Sequence, residues 1–160
     1  NPEFLTARTA YHDFHNQTHV VLGKGPNCND KDMSVMKQFY EKYYPTAEIS
    51  VCTSLESESM KIFCNSFYAS KIQLFNEYYL LCQSNGSDFD TIRKLMLKNN
   101  WINEMHTDVP GPDGKLSYGG ACFPKDTNAL CQYMKNQNTL HQVIQHVISE
   151  RNEMRENLLK

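Results

Sequence analysis

Residues 55–83 read LESESMKIFCNSFYASKIQLFNEYYLLCQ, a run without glycine or proline. Met60, Phe63, Cys64, Phe67, Leu74, Phe75, Tyr78 and Leu81 fall on one helical stripe, and Ile62, Ala69, Ile72 and Tyr79 add apolar surface elsewhere. Thr53 and Glu56 ahead of the run fit a capping box, in which hydroxyl and carboxylate satisfy each other's orphan backbone donors. Asn85-Gly86 ends it. The spacing predicts one helix from about Leu55 to Gln83, spanning roughly 40 Å at 1.5 Å per residue. A helix apolar on more than one face is buried inside a domain or between subunits.

On the N-terminal side, His19-Val20-Val21-Leu22-Gly23 reads as a strand. Asn29 or Asp30 can cap a helix from Lys31 to Tyr43, which Pro45 stops, and Glu48 to Cys52 alternates like a second strand. Two strands and one helix cannot cover their own apolar faces, so this unit reads as the tail of a larger sheet. On the C-terminal side, Ser87 or Asp88 caps a helix from Phe89 to Lys98. Pro110-Gly111-Pro112-Asp113-Gly114 is a loop that Gly119-Gly120 continues. Two more helices are expected, from Lys125 to Lys135 and from Leu140 to Leu158. The predicted fold is mostly α with a small α/β N-terminal portion.

The chain has 160 residues, 18.6 kDa and 40% hydrophobic residues, enough for a core. Lys and Arg total 16 against 18 Asp and Glu, and neither half is strongly basic, which argues against nucleic acid as a partner. Apolar runs such as Tyr78–Cys82 fall far short of a membrane span. No charged-then-apolar leader is visible, so the expected location is cytoplasmic. Cys28, Cys52, Cys64, Cys82, Cys122 and Cys131 form no Cys-x-x-Cys pair and no zinc-finger spacing with histidine. Most are expected to be buried thiols. His12, His15 and His19 read as surface residues, and no metal site is expected. Gly23-Lys24-Gly25 starts like a dinucleotide fingerprint, but Cys28 stands where the third glycine would fall, so the chain carries no recognisable nucleotide cradle.

Two constellations could carry chemistry. In Tyr118-Gly119-Gly120-Ala121-Cys122-Phe123-Pro124-Lys125-Asp126, a thiol stands just before a proline suited to the first turn of a helix. The helix dipole and Lys125 both favour the thiolate, making Cys122 a nucleophile; the alternative is a buried small hydrophobe beside a loop. Lys61 and Asn65, at i and i+4, put an ammonium and an amide on one helix face. The alternative for Lys61 is a side chain snorkelling to solvent. Asn1-Pro2-Glu3-Phe4 is a weak signal by itself.

Together these segments resemble the UDP-glucose/GDP-mannose dehydrogenase family. The matching residues are Asn1-Pro2-Glu3-Phe4-Leu5, Glu58–Asn65, Phe75-Asn76-Glu77, Pro110–Lys115 and Gly119–Asp126, in the family's order. The resemblance implies that residues 1–54 are the C-terminal end of a Rossmann-like NAD domain and residues 55–160 a central helical dimerisation and substrate domain. It implies oxidation of a UDP-sugar C6 alcohol to a carboxylate with two NAD, through a thiohemiacetal and then a thioester on Cys122. Lys61 and Asn65 would stabilise the developing oxyanion, Asp126 would orient Lys61 or a water, and Glu3 would handle the hydrolytic water. Phe4, Leu5, Tyr118, Gly119, Gly120 and Phe123 would contact the nucleotide sugar, and Lys125 the cofactor, which is held mainly by a domain outside this chain. The Pro110–Lys115 loop is closer to UDP-glucose members, and the long helix would build a homodimer. Ala7 and Arg8 depart from the family, whose members often carry Glu and a small residue there.

Two alternatives stand beside this reading. One is a non-catalytic dimerisation scaffold, or remnant, of the same fold. The other is a dehydrogenase for another UDP-sugar or for GDP-mannose. The set Lys61, Asn65, Cys122 and Asp126 favours the enzyme, because a scaffold has no need of all four.

Overall fold

The computed structural model describes residues 1–6 and 8–156. Its elements are α1 (Ala10–His15), β1 (His19–Lys24), α2 (Asp30–Tyr43), β2 (Glu48–Thr53), α3 (Ser54–Asn85), α4 (Phe89–Leu97), α5 (Cys122–Asn136) and α6 (Gln142–Glu156). The mostly helical fold with a small N-terminal sheet is as the sequence reads. The end of the expected last helix, Asn157 and Leu158, lies outside the described residues, as does the departure at Ala7. The chain divides into two compact units, Asn1–Lys61 and Ile62–Lys160.

In the first unit, β1 and β2 pair in parallel, His19 opposite Glu48 and Lys24 opposite Thr53. Val20, Val21 and Leu22 are buried. The crossover helix α2 is capped by Asn29, which exchanges bonds of 3.0 Å with Asp32. Its neighbour Asp30 instead pairs with Lys24. Helix α1 has no counterpart among the elements expected from sequence. It is a single polar-sided turn, held where Thr6 N and Thr9 Oγ1 donate to Asp13 Oδ2 at 2.9 and 2.8 Å. Periodicity carries no information over so short a run.

Thr53 and Glu56 form the expected box: Thr53 N and Oγ1 donate to Glu56 Oε2 at 2.7 and 2.8 Å, and Glu56 N donates to Thr53 Oγ1. These bonds lower the Glu56 pKa. Helix α3 then runs for 32 residues and stops at Gly86, whose φ of 76° lies in the left-handed region that glycine adopts at no steric cost.

In the second unit α3 buries a face that sequence periodicity does not single out. Asn65, Ser66, Ala69, Gln73 and Asn76 are buried. Phe63, Phe67, Leu74, Tyr78 and Leu81, five members of the apolar stripe, are exposed, while Phe75 is buried. Asn65, Gln73 and Asn76 go inside because Asp126 and Ser117 meet them there, while the buried Ser66 hydroxyl has no hydrogen-bond partner among the described residues. Near the end of α3, Phe75, Cys82 and Phe89 form a small core with Tyr79, Met96, Ile102 and Val109 packed against it. Asp88, not Ser87, caps α4, its Oδ1 accepting from Asp90 N at 3.0 Å.

Candidate functional site

Cys122 is the first residue of α5, three positions before the helix start expected from sequence. Pro124 falls in the first turn, where its missing N–H costs no helical bond. The cap residue Ala121 offers no side-chain acceptor to the first-turn amides. Cys122 is exposed. Of the other five free thiols, Cys82 and Cys131 are buried, but Cys28, Cys52 and Cys64 are only partly so, which corrects the expectation that most are buried.

One turn into α5, Asp126 is 3% exposed and accepts a 2.6 Å hydrogen bond from Asn65 Nδ2. Lys125 donates to its other oxygen. That bond, then the attraction of the carboxylate, and to a lesser degree Cys122, raise the Lys125 pKa. Phe123 is half-buried, with His106 5.5 Å and Tyr68 6.4 Å from it between ring centroids. Burial, and then Lys71, lowers the His106 pKa.

The segment leading to Cys122 is held by two arginines of α6. Tyr118 is 2% exposed; its carbonyl accepts from Arg151 Nε at 3.3 Å, and the Arg151 guanidinium lies 5.9 Å from its ring. Arg155 donates to Asp113 Oδ2 and to the Ser117 carbonyl, both at 2.8 Å. A Cβ on Gly119 would lie 2.6 Å from Arg155 Nη1, so glycine here admits the guanidinium. Gly120, at φ 72°, has open space where its Cβ would be. Sequence reasoning missed Gln73, Asn76, Arg151 and Arg155. The available signal was the pair of amides Gln73 and Asn76, three residues apart on α3.

The remaining candidates lie in the first unit. Lys61 Nζ sits 4.2 Å from the centroid of the Phe4 ring, a cation–π contact. Phe4 also lines a cavity of about 330 Å³ with Pro2, His12, Asp13, Asn16 and His19. Glu3 is exposed and Leu5 half-buried, while His12, His15 and His19 lie at the surface. Gly23 answers the question of a nucleotide cradle: its Cβ would lie 2.3 Å from Ser57 Oγ and 2.9 Å from Ser54 Cα, so it makes room for the first turn of α3. Lys24 beside it is paired with Asp30. At Gly23 and Lys24 the backbone and the ammonium are thus taken up by the start of α3 and by Asp30.

The second unit is thus built around one long helix, with a thiol opening α5 after a glycine pair and a buried Asn–Asp bond one turn further on. A family model described as "UDP-glucose/GDP-mannose dehydrogenase family, central domain" matches residues 55–153, and the chain belongs to that family. It is 30% identical over 160 residues to a UDP-glucose 6-dehydrogenase of Pseudomonas aeruginosa, with 99% of this chain and 33% of that protein covered. It is 28% identical over 156 residues to UDP-glucose 6-dehydrogenase TuaD of Bacillus subtilis, covering 97% of this chain and 32% of that protein. A solved UDP-glucose dehydrogenase from Pyrobaculum islandicum superposes with a TM-score of 0.80 at 27% identity, over 96% of this chain and 33% of that one. The chain thus spans about a third of the length of the relatives it matches.

Proposed function

We propose that this chain carries the covalent half of a UDP-glucose 6-dehydrogenase, with Cys122 as nucleophile. The observation that supports it most is the combination of an exposed Cys122 at the start of α5 with the buried Asn65–Asp126 bond one turn below. In this reading the Cys122 thiolate adds through Sγ to the aldehyde carbon at C6, and the oxygen becomes the alkoxide of a thiohemiacetal. Lys61 and Asn65 stabilise that oxyanion, an arrangement commonly worth a few kcal/mol per donor. Once the adduct stands at the oxidation level of a thioester, water adds to its carbon. The carboxylate then forms and the C–S bond breaks, returning the thiolate. Glu3 accepts the proton of that water. Asp126 orients the donors, and Phe4, Leu5, Tyr118, Gly119, Gly120 and Phe123 surround the sugar nucleotide. The family is NAD-dependent. NAD is read as held mainly by a domain outside this chain, with Lys125 reaching toward it, and no step through NAD is assigned here.

Residues 1–54 then form the end of the dinucleotide-binding domain and residues 55–160 the central domain. The exposed Phe63, Phe67, Leu74, Tyr78 and Leu81 of α3 are read as the face of a homodimer, since such a stripe left to water marks an interaction surface. No helix among the described residues is long and apolar enough to cross a membrane.

The test is NADH formation from UDP-glucose and NAD by the protein that carries this chain. Turnover that Cys122→Ser abolishes is expected. Turnover that Cys122→Ser leaves unchanged would overturn the reading, and turnover on GDP-mannose alone would replace the substrate. The 160-residue chain by itself is expected to make no NADH.

A further inference from the structure

Arg155 stands one residue from the end of α6, yet its side chain is only 13% exposed. Its guanidinium meets three separate pieces of the stretch before Cys122. Nη1 donates to Asp113 Oδ2 and Nη2 to the Ser117 carbonyl, both at 2.8 Å. Nη1, Nη2 and Cζ lie 2.6, 2.8 and 2.9 Å from where a Cβ of Gly119 would be, so the guanidinium occupies the side-chain space of that residue. Nε is buried and has no partner among the described residues, a cost that the two bonds offset.

Each piece that Arg155 grips is itself built. The loop 111–115 closes on itself: Gly111 N donates to the Lys115 carbonyl and Gly114 N to the Gly111 carbonyl, both at 2.9 Å. Lys115 N donates to Asp113 Oδ1 at 3.1 Å, and Arg155 takes the other oxygen of that carboxylate. Ser117 has φ 58°, a left-handed conformation that a residue with a Cβ keeps only where its surroundings over-determine it. Its N–H donates to Asn76 Oδ1 at 2.8 Å and its hydroxyl to Gln73 Oε1 at 2.6 Å, both on α3, and Arg155 takes its carbonyl. A guanidinium fork reaches a carboxylate and a carbonyl with separate nitrogens, whereas a lysine ammonium carries its charge at one point.

We propose that Arg155 is a positioning residue for the sugar-nucleotide site: seated in the side-chain space of Gly119, it fixes the backbone of residues 117–119 and the 111–115 loop where a ligand beside Cys122 meets them. Arg155 itself touches no ligand in this scheme. Gly119 is then glycine to admit the arginine. Gly120, at φ 72° with open space at its Cβ position, is the glycine that leaves room for the ligand. The proposal rests on the reading of Cys122 and the glycine pair as the sugar-nucleotide site.

The experiment uses the protein that carries this chain and follows Cys122 alkylation against UDP-glucose concentration. Arg155→Lys keeps the charge and removes the fork. The half-protecting concentration is expected to rise about tenfold, the factor that one hydrogen bond to a charged group commonly carries. Asp113→Ala, at a side chain 44% exposed, cuts only the loop end of the clasp and should give a smaller rise. The buried Cys82 and Cys131 label slowly in a folded variant and serve as the control in the same samples. An arginine that merely stabilises the fold would leave the half-protecting concentration of the folded variant at the wild-type value. That result overturns the proposal and leaves the reading of the site. Where Arg155→Lys exposes Cys82 and Cys131, Asp113→Ala decides alone, and a wild-type value there overturns the proposal. A wild-type protein that UDP-glucose does not protect overturns the reading of the site, and the proposal with it.

Discussion

Asn65 and Asp126, 61 residues apart in sequence, meet inside the helical unit in a 2.6 Å hydrogen bond. It ties the middle of α3 to the first turn of α5, so the helix that begins with Cys122 is fixed from below by a contact with no exposure to screen it. Both residues stand among the sequence's candidates for chemistry, and the bond gives each a positional role besides.

Asn65→Ala removes the amide that donates to the buried Asp126 carboxyl. The expected loss is about 1.5–3 kcal/mol, the range for hydrogen bonds to charged groups. Urea denaturation of the two proteins measures it. A midpoint equal to wild type would show that the bond contributes nothing net.

Gly23 and Gly25 give a matched pair. Alanine at Gly23 would place a Cβ 2.9 Å from the Ser54 Cα, a backbone atom that cannot step aside. Overpacking of this kind costs about 1–3 kcal/mol. Gly25 has nothing within 4 Å, so Gly25→Ala should be close to neutral. Equal thermal midpoints for the two variants would contradict the packing assigned to Gly23.

Glu77 makes stability depend on pH in a stated direction. Its pKa in the fold is raised to about 7 from the ordinary 4.5, so between those values the folded chain binds more protons than the unfolded one. Stability therefore falls as pH rises across that window and is level above it. Asp113 works the other way: Arg155 holds its pKa below the ordinary value, and that contribution is lost as the pH falls through the carboxylate range. Denaturation midpoints measured against pH for wild type and Glu77→Gln should converge at the acid end and separate toward neutrality. Parallel curves would contradict the assignment.

The stripe on α3 gives a prediction about assembly. Phe67→Glu with Leu81→Glu places two charges on residues 64% and 60% exposed in the single chain, so the fold should survive. Sedimentation should show a dimer for wild type and half that mass for the double variant. A wild-type monomer would remove the dimer reading.

Element boundaries were largely legible because caps are local chemistry: Asn29 with Asp32, Thr53 with Glu56, and Asp88 are all in the sequence within a turn of what they cap. The side of α3 that faces inward was not legible. Periodicity marks where apolar residues gather and is silent on whether the chain itself or a partner covers them. Gln73 and Asn76 bury because Ser117, more than 40 positions away, supplies their partners. Arg155 closing over Gly119 is hidden for the same reason: in sequence the glycine reads as open backbone. Cys122, Lys61 and Asn65 stand out from helix position and spacing, each with a bland alternative that spacing leaves open, and Asp126 gains a role only through the family resemblance.

The central claim is that Cys122 is a reactive thiol in a site for a sugar nucleotide. The most direct measurement is its alkylation rate, mapped by peptide, with and without UDP-glucose, other UDP-sugars and GDP-mannose. The account expects Cys122 to label faster than the other five cysteines, Cys82 and Cys131 slowest, with the Cys122 rate slowed selectively by UDP-glucose. Labelling no faster than the rest, and no protection by any of these nucleotides, would contradict it and leave the chain a scaffold.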